Sequence, residues 1–176
     1  MRSYLEENDV KLIKDNKASI AVCHNSNLKL KNSPCDVIKL LDNEINVMVA
    51  TDGPATNDSL SLLDSLRTTA LLTGLDSCKL LDMITINPAK YMKINSGSIT
   101  EGNKADILFY NMNSLNFTYK KSILENLIYT SGNKPEIIMK DGKIIIENYM
   151  FKDKIEYDII HEKNKVIKLI ENNIEF

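Results

Sequence analysis

The sequence predicts an α/β fold, with a parallel sheet in its first half and a smaller β-rich piece with a terminal helix in its second half. Two short apolar runs, at residues 18–23 and 47–50, are typical of strands buried on both faces. A helical pattern follows each run after a short connection, which is the alternation that a parallel sheet requires. Beyond Met92 the pattern changes to strands. We therefore place a boundary near residue 93.

The first strand is preceded by one helix and followed by another. Residues 5–16 carry apolar side chains among charges at helical spacing, which favours a surface helix. After the strand at 18–23, a polar loop is expected up to Ser33. There Ser33 is placed to cap a helix, and Pro34 suits its first position.

The second apolar run, at residues 47–50, leads directly into the sequence T-D-G at residues 51–53. We expect a buried parallel strand over residues 46–52, with Asp52 at its carboxyl end facing a cleft or an open edge. A helix is expected from about residue 58 to residue 72, with Gly74 placed to end it. Asp76 opens another helix, and the pair Asn87 and Pro88 opens a short one.

The second half reads as a small antiparallel sheet followed by a helix. Asp141 and Gly142 separate two strand-like runs, and this dipeptide is the strongest short hairpin signal. Apolar residues recur at helical spacing up to Ile174. The expected strands span residues 105–110, 136–140 and 143–147, and the helix spans residues 155–174.

The composition excludes several classes of protein. Apolar residues make up 43% and charged residues 26%, an ordinary globular balance, and the net charge of −2 argues against a nucleic-acid partner. No stretch approaches the roughly 20 apolar residues of a membrane span. The three cysteines form no C-x-x-C pair, and charged residues stand where a secretory signal would need apolar ones. We expect a reduced, cytoplasmic protein without membrane contact.

Four segments carry a resemblance when they are taken together and in order. They are S-N-L-K-L at 26–30, T-D-G-P-A-T-N-D-S-L at 51–60, L-R-T-T-A-L-L at 66–72 and G-S-I-T-E-G-N-K-A-D-I at 97–107. Any one of them would be weak evidence. In this order and with these gaps they resemble the amidohydrolase superfamily, in the branch of methylthioadenosine/adenosylhomocysteine deaminases, guanine deaminases and triazine chlorohydrolases.

The resemblance implies a fold. Residues 1–93 would be the last strands and helices of the TIM barrel of a metal-dependent hydrolase. Residues 94–176 would add the C-terminal strands of a composite β-sandwich and a terminal helix. A whole (β/α)₈ barrel takes roughly 250 residues, so residues 1–93 supply about two of its eight strands. We expect the C-terminal part of a larger barrel, incomplete on its own.

The resemblance also implies a metal site, and Asp52 is the residue that matches it. Members of the family bind zinc or iron through an H-x-H pair on strand one, a histidine on strand five and an aspartate on strand eight. Asp52 stands at the strand-eight position, where it would ligate the metal and accept a proton from water. Asp-Gly is also common in simple turns; the family match favours the ligand. With only two histidines, and no H-x-H, we expect no tightly bound metal in this chain alone.

His24 is the second candidate, as a contact to substrate, because it also follows a strand. If His24 matches the family histidine before L-K-L, two residues are missing from the loop. If Ser26 and Asn27 anchor the match, Val22 takes the histidine position instead. A lone histidine here is otherwise a polar loop residue. His161 lies among charges in the terminal helix and is interpreted as a surface residue.

The resemblance thus implies a hydrolase of C–N bonds, a deaminase acting on a small purine nucleoside or nucleobase-like substrate. The alternative is a non-catalytic fragment or assembly subunit that needs a partner chain carrying the histidine ligands. In both cases the open edges of an incomplete sheet predict association, as a homo-oligomer or with an upstream partner chain.

Overall fold

A computed structural model of the protein describes residues 5–115, 117, 122–152 and 155–173, and of the last stretch only the backbone at 155–158, 170, 172 and 173. The chain forms two compact units. The first comprises Met1–Asn103 and Met112–Asn133, and the second Lys104–Asn111 and Lys134–Phe176.

The first unit consists of two strands and several helices. Its strands are β1 (Ser19–Val22) and β2 (Asn46–Val49). Its helices within the described ranges are α1 (Glu7–Asp15), α2 (His24–Lys29), α3 (Val37–Asp42), α4 (Pro54–Asn57), α5 (Leu62–Thr73), α6 (Ser77–Asp82), α7 (Ile86–Met92) and α8 (Ile123–Tyr129).

The two strands are parallel, as the sequence predicts. Ser19 pairs with Asn46 and Val22 pairs with Val49, so both strands end at the same edge. The amide of Ala50 continues the pairing by donating to the carbonyl of Val22 at 2.9 Å. The segments that follow β1 and β2 therefore lie next to each other, although they are far apart in sequence.

The core of the first unit lies between this strand pair and the surrounding helices. Val47 of β2, Leu66 of α5 and Leu80 of α6 are fully buried, and Ile128 of α8 is 1% exposed. The burial of Ile128 was not foreseen, although Ile123, Leu124, Leu127 and Ile128 recur at helical spacing. α8 contacts both α5 and α6, so the chain returns to the first unit to complete its core.

Side-chain caps set the starts of α3 and α5. Asp36 caps α3 by accepting from the amide of Lys39 at 3.0 Å, so α3 begins at Val37 and not beside Ser33 as expected. Ser61 caps α5 in the same way. At the other end of α5, Gly74 adopts a left-handed φ of 63°, which confirms the predicted stop.

The boundary expected near residue 93 differs from the observed division, because the chain stays with the first unit up to Asn103. The amide of Ile94 donates to the carbonyl of Ala89 at 3.1 Å. Gly97 then approaches α7 so closely that a Cβ would lie 2.6 Å from the carbonyl oxygen of Thr85, and its φ of 89° suits glycine. Backbone packing against α7 thus holds this segment to the first unit.

The second unit contains an antiparallel sheet in the order β3 (Ile107–Phe109), β4 (Ile137–Lys140), β5 (Lys143–Glu147) and β6 (Met150–Phe151). The predicted hairpin is confirmed: Asp141 and Gly142 join β4 to β5 with φ of 47° and 78°, the positive values that two-residue turns require. The short strand β6 was not predicted.

The terminal helix α9 spans Ile155–Asn173. Ile174, the last residue of the predicted helix, lies outside the described residues. Across the part of the chain that the structure describes, no helix combines the length and apolarity needed to cross a membrane.

Candidate active site

Asp52 lies just beyond the carboxyl end of β2. The sequence suggests a strand running up to this residue, whereas β2 ends at Val49 and residues 50–53 have no regular structure. Asp52 has a left-handed φ of 63°, a conformation that aspartate tolerates better than most residues. This turn of the backbone leaves its side chain exposed at the edge where both strands end.

Both oxygens of the Asp52 carboxylate accept a hydrogen bond. The hydroxyl of Ser26 donates to Oδ2 at 2.7 Å, and the amide of Gly53 donates to Oδ1 at 2.7 Å. The Ser26 bond first, and then the Gly53 bond, lower the pKa of Asp52 below its ordinary value. The carboxylate is therefore ionised at neutral pH, and each oxygen keeps a free lone pair.

Ser26 reaches Asp52 because α2 begins directly after β1. The expected polar loop is a helix here: only Cys23 separates Val22, the end of β1, from His24, the first residue of α2. Ser26 is 2% exposed. Its hydroxyl therefore faces the interior between α2 and the loop after β2, where it meets Asp52.

The loop that carries Asp52 is fastened at its far end. The side-chain amide of Asn57 donates to the carbonyl of Thr51 at 2.6 Å, which closes the loop on itself. The ammonium of Lys29 also lies 2.6 Å from Oδ1 of Asp58, but this ion pair is exposed and adds little to the closure. Asp52 is thus held in a short, closed loop.

His24 has a different environment from the one expected. Its side chain is fully buried, with Nδ1 2.9 Å from the hydroxyl of Thr69 in α5 and Nε2 3.3 Å from the carbonyl oxygen of Cys35. A carbonyl only accepts, whereas the Thr69 hydroxyl can donate to Nδ1 of the neutral ring or accept from it, because its one proton is also in reach of the carbonyl oxygen of Ser65 at 3.0 Å. Desolvation lowers the pKa of His24, which favours this neutral form.

The contacts of His24 correct its interpretation as a polar loop residue: the ring bridges α2, α5 and the segment before α3. Both nitrogens are used inside the first unit. A contact between His24 and substrate therefore stays a prediction. Neither ring nitrogen of His24 is left over for such a contact in this arrangement. His161, by contrast, lies on an exposed stretch of α9, as expected.

The structure thus brings Ser26, and not His24, to Asp52. Ser26 belongs to the S-N-L-K-L segment, but nothing in the sequence pairs it with a residue in the next loop. Within the described ranges, no group of three or more histidine, cysteine, aspartate or glutamate side chains could hold a metal ion. An ionised, exposed carboxylate with free lone pairs is nevertheless a suitable ligand for zinc, so Asp52 fits as one member of a larger ligand set.

Comparison with known proteins finds relatives of one kind. The model of the amidohydrolase family matches residues 3–145. A 5'-deoxyadenosine deaminase of Methanosphaera stadtmanae is 32% identical over 165 residues, covering 89% of this chain and 39% of the relative. A 5-methylthioadenosine/S-adenosylhomocysteine deaminase of Clostridium tetani is 28% identical, covering 97% of this chain and 42% of the relative. The chain spans about two fifths of the length of these relatives.

Solved structures share the fold. An adenosine deaminase from Xanthomonas campestris with bound zinc superposes with a TM-score of 0.88 at 24% identity, over 96% of this chain and 41% of that chain. An atrazine chlorohydrolase from Arthrobacter aurescens, complexed with zinc, gives a TM-score of 0.83 at 22% identity, over 92% and 38% of the two chains.

Proposed function

The chain belongs to the amidohydrolase family, and on that premise we propose that it is part of a metal-dependent hydrolase of C–N bonds that deaminates a small purine nucleoside or a similar compound. The observation that carries the proposal is the ionised carboxylate of Asp52 at the shared carboxyl edge of β1 and β2. In barrel enzymes this edge is where active sites form. The names of the relatives support an adenosine-like substrate.

The fold proposal follows from the same premise. β1 and β2 with their helices act as the last two strands of a TIM barrel, and β3 to β6 act as part of a β-sandwich. The parallel pairing of β1 and β2 supports the first assignment. The antiparallel sheet of the second unit supports the assignment of β3 to β6 to a β-sandwich.

Asp52 is the metal ligand that this chain contributes, and histidines beyond these 176 residues, in a longer chain or in a partner subunit, complete the site. A divalent zinc or iron ion supplies Lewis acidity that brings the pKa of a water molecule toward neutrality. Asp52 would hold such an ion through one oxygen, and its other oxygen would be placed to accept a proton. Ser26 and Gly53 keep both oxygens oriented.

The chemistry balances as a hydrolysis. The oxygen of water forms a bond to the ring carbon that bears the amino group, and the carbon–nitrogen bond breaks. Asp52 takes a proton from the water, and the nitrogen leaves as ammonia after it receives a proton from an acid outside this chain. The proton held by Asp52 then returns to that acid, so both groups are regenerated. Asp52 is the residue of this chain placed for the first proton transfer.

A second candidate is an assembly subunit without catalysis of its own. The chain has only two histidines, and one of them, His24, has both ring nitrogens bonded within the first unit. Such a subunit would bind a partner chain that carries the metal-binding histidines. Light scattering at micromolar concentration tests association directly: we expect an oligomer, and a well-behaved monomer with a two-state melt would contradict the incomplete barrel.

The activity test compares three preparations: the 176-residue chain alone, the chain co-expressed with the polypeptide encoded directly upstream, and the same pair with Asp52→Asn. In each preparation, ammonia release from 5'-deoxyadenosine and methylthioadenosine is measured with added zinc. We expect activity only with the upstream polypeptide, and Asp52→Asn should lower it by at least about 10²-fold because a proton acceptor and ligand is lost.

The matched control for this test is Asp58→Asn. Asp58 is an exposed carboxylate in the same loop, and its pair with Lys29 is a surface ion pair of small energetic value. Activity should remain near wild type in this variant. Equal losses from Asp52→Asn and Asp58→Asn would show that the loop, and not the Asp52 carboxylate, matters.

A further inference from the structure

The bond between Ser26 and Asp52 joins two loops that are distant in sequence. The two residues are 26 positions apart, and the Ser26 hydroxyl lies 2.7 Å from Oδ2 of Asp52. The other bond to this carboxylate comes from the amide of the next residue, Gly53, which moves together with Asp52. Of these two donors, only Ser26 is fixed to another element, α2. The Ser26 bond therefore sets where the carboxylate stands relative to the end of β1.

The environment of Ser26 limits what it can do. Its side chain is 2% exposed, so it has no surface from which to touch a substrate. A serine hydroxyl has a single proton, and this proton is used in the bond to Asp52. Any effect of Ser26 on a reaction must therefore pass through the Asp52 carboxylate.

The backbone at Asp52 makes such a support necessary. A φ of 63° is an uncommon conformation for a residue other than glycine. The side chain projects from this turn toward an exposed edge, where a carboxylate without a second anchor would sample several rotamers. A buried donor on a neighbouring helix selects one of them.

We propose that Ser26 is a positioning residue that orients the Asp52 carboxylate in advance for metal binding. The metal-binding part of this inference rests on the proposed function, whereas the orientation of the carboxylate rests on the geometry alone. Hydrogen-bond partners behind a metal ligand typically change metal affinity by about 10- to 100-fold when they are removed. Ser26 is the residue in this chain that occupies such a position behind Asp52.

The test uses the full chain labelled with ¹³C at the aspartate carboxyl groups. The signal of Asp52 is assigned by its loss in Asp52→Asn. Rotamer averaging of the Asp52 side chain is read from its three-bond couplings, and Zn²⁺ is then titrated while this signal is followed. The variants are Ser26→Ala, which removes the hydroxyl, and Ser26→Cys, which keeps the shape with a weaker donor.

The matched control is Thr68→Val. Thr68 is half-buried on α5, and its hydroxyl donates within that helix to the carbonyl of Asp64 at 3.2 Å. It therefore reports what the loss of a hydroxyl away from the Asp52 loop does to the fold. We expect the Asp52 signal and couplings of this variant to match those of the wild type.

The expected result is a single rotamer of Asp52 in the wild type, averaged rotamers in Ser26→Ala and an intermediate state in Ser26→Cys. The Zn²⁺ concentration at half-change should rise about 10-fold in Ser26→Ala. A wild-type rotamer in Ser26→Ala would overturn the positioning role, whatever zinc does. If zinc leaves the wild-type Asp52 signal unchanged while Ser26→Ala still releases the rotamer, the metal-ligand assignment fails and the positioning role of Ser26 stands.

Discussion

Two junctions at the same edge of one strand pair have opposite characters. After β1 only Cys23 intervenes before α2, and His24 is drawn into the interior, fully buried. After β2 residues 50–53 intervene before α4, and Asp52 is turned outward with a left-handed backbone. The length of the strand-to-helix connection thus decides which side chain builds the fold and which one is offered to solvent.

The chemistry of the two residues suits these positions. A neutral imidazole can be buried when both nitrogens find partners, as His24 does with Thr69 and Cys35. An ionised carboxylate is costly to bury, and Asp52 remains exposed while still receiving two hydrogen bonds. The first junction should therefore control stability, and the second should control activity.

The largest stability effect should come from His24→Ala. The substitution removes a buried ring, leaves Thr69 and the carbonyl of Cys35 without their partner and opens a cavity. We expect the free energy of unfolding to fall by about 2–4 kcal/mol, measured by urea denaturation. His161→Ala on the exposed part of α9 should change it by less than about 0.5 kcal/mol. Similar losses from both would mean that the His24 bridge does not stabilise the unit.

A smaller effect is expected at the second junction from Asn57→Ala. Asn57 is 8% exposed and closes the Asp52 loop through the carbonyl of Thr51 at 2.6 Å. Its loss leaves a part-buried carbonyl without this donor, at a cost of about 1–2 kcal/mol. Urea denaturation should place Asn57→Ala between wild type and His24→Ala. A loss as large as that of His24→Ala would contradict the division of roles.

The pH dependence of unfolding separates the junctions further. Burial lowers the pKa of His24 from 6.5, so the unfolded chain binds the proton more readily. The stability due to neutral His24 is therefore complete above about pH 6.5 and is lost as the pH falls from there toward the folded pKa. Urea midpoints should fall over this range in the wild type and less steeply in His24→Gln.

Asp52 contributes to the pH dependence of stability at lower pH than His24 does. Its pKa is lowered from 3.8, chiefly by the Ser26 bond, so its stabilising contribution is complete above about pH 3.8 and is lost as the pH falls through the folded pKa. Asp52→Asn should leave the fall below pH 6.5 intact and flatten the fall below about pH 3.8. A change of slope near pH 6.5 in Asp52→Asn would show that the two sites are coupled.

The smallest effect is expected from zinc on the isolated chain. One carboxylate, with the described side chains forming no three-ligand cluster around it, should bind zinc weakly and without a defined stoichiometry. The melting temperature should therefore shift little when zinc is added. Metal analysis after dialysis is the decisive measurement, and one tightly held zinc per chain would point to a site shared between copies.

Sequence reasoning succeeded where structure depends on neighbouring residues. Gly74 ends α5 and Asp76 caps α6 through the amide of Cys78 at 2.8 Å, as the sequence indicates. The Asp-Gly hairpin and the two parallel strands are also where they were expected. In each case the residue type itself favours the local backbone conformation. The expected burial on both faces is wrong for β1, which buries only Val22 and leaves Ala21 exposed.

The sequence failed where a partner is remote. Residues 24–29 read as a polar loop but form α2, because the helix is stabilised by packing and not by an apolar stripe of its own. α8 has a local signal, because Ile123, Leu124, Leu127 and Ile128 recur at helical spacing. Only its packing on α5 and α6 shows that this helix belongs to the core of the first unit.

By itself the sequence determined the α/β class, the strand that leads to Asp52 and, through its four motifs, the family to which the chain belongs. Only the tertiary structure decided that Ser26 holds Asp52 and that His24 binds Thr69 across 45 positions. The reason is physical. Caps and turns depend on residues a few positions apart, whereas these two bonds depend on the parallel pairing of β1 with β2 and on the path of the helices that follow.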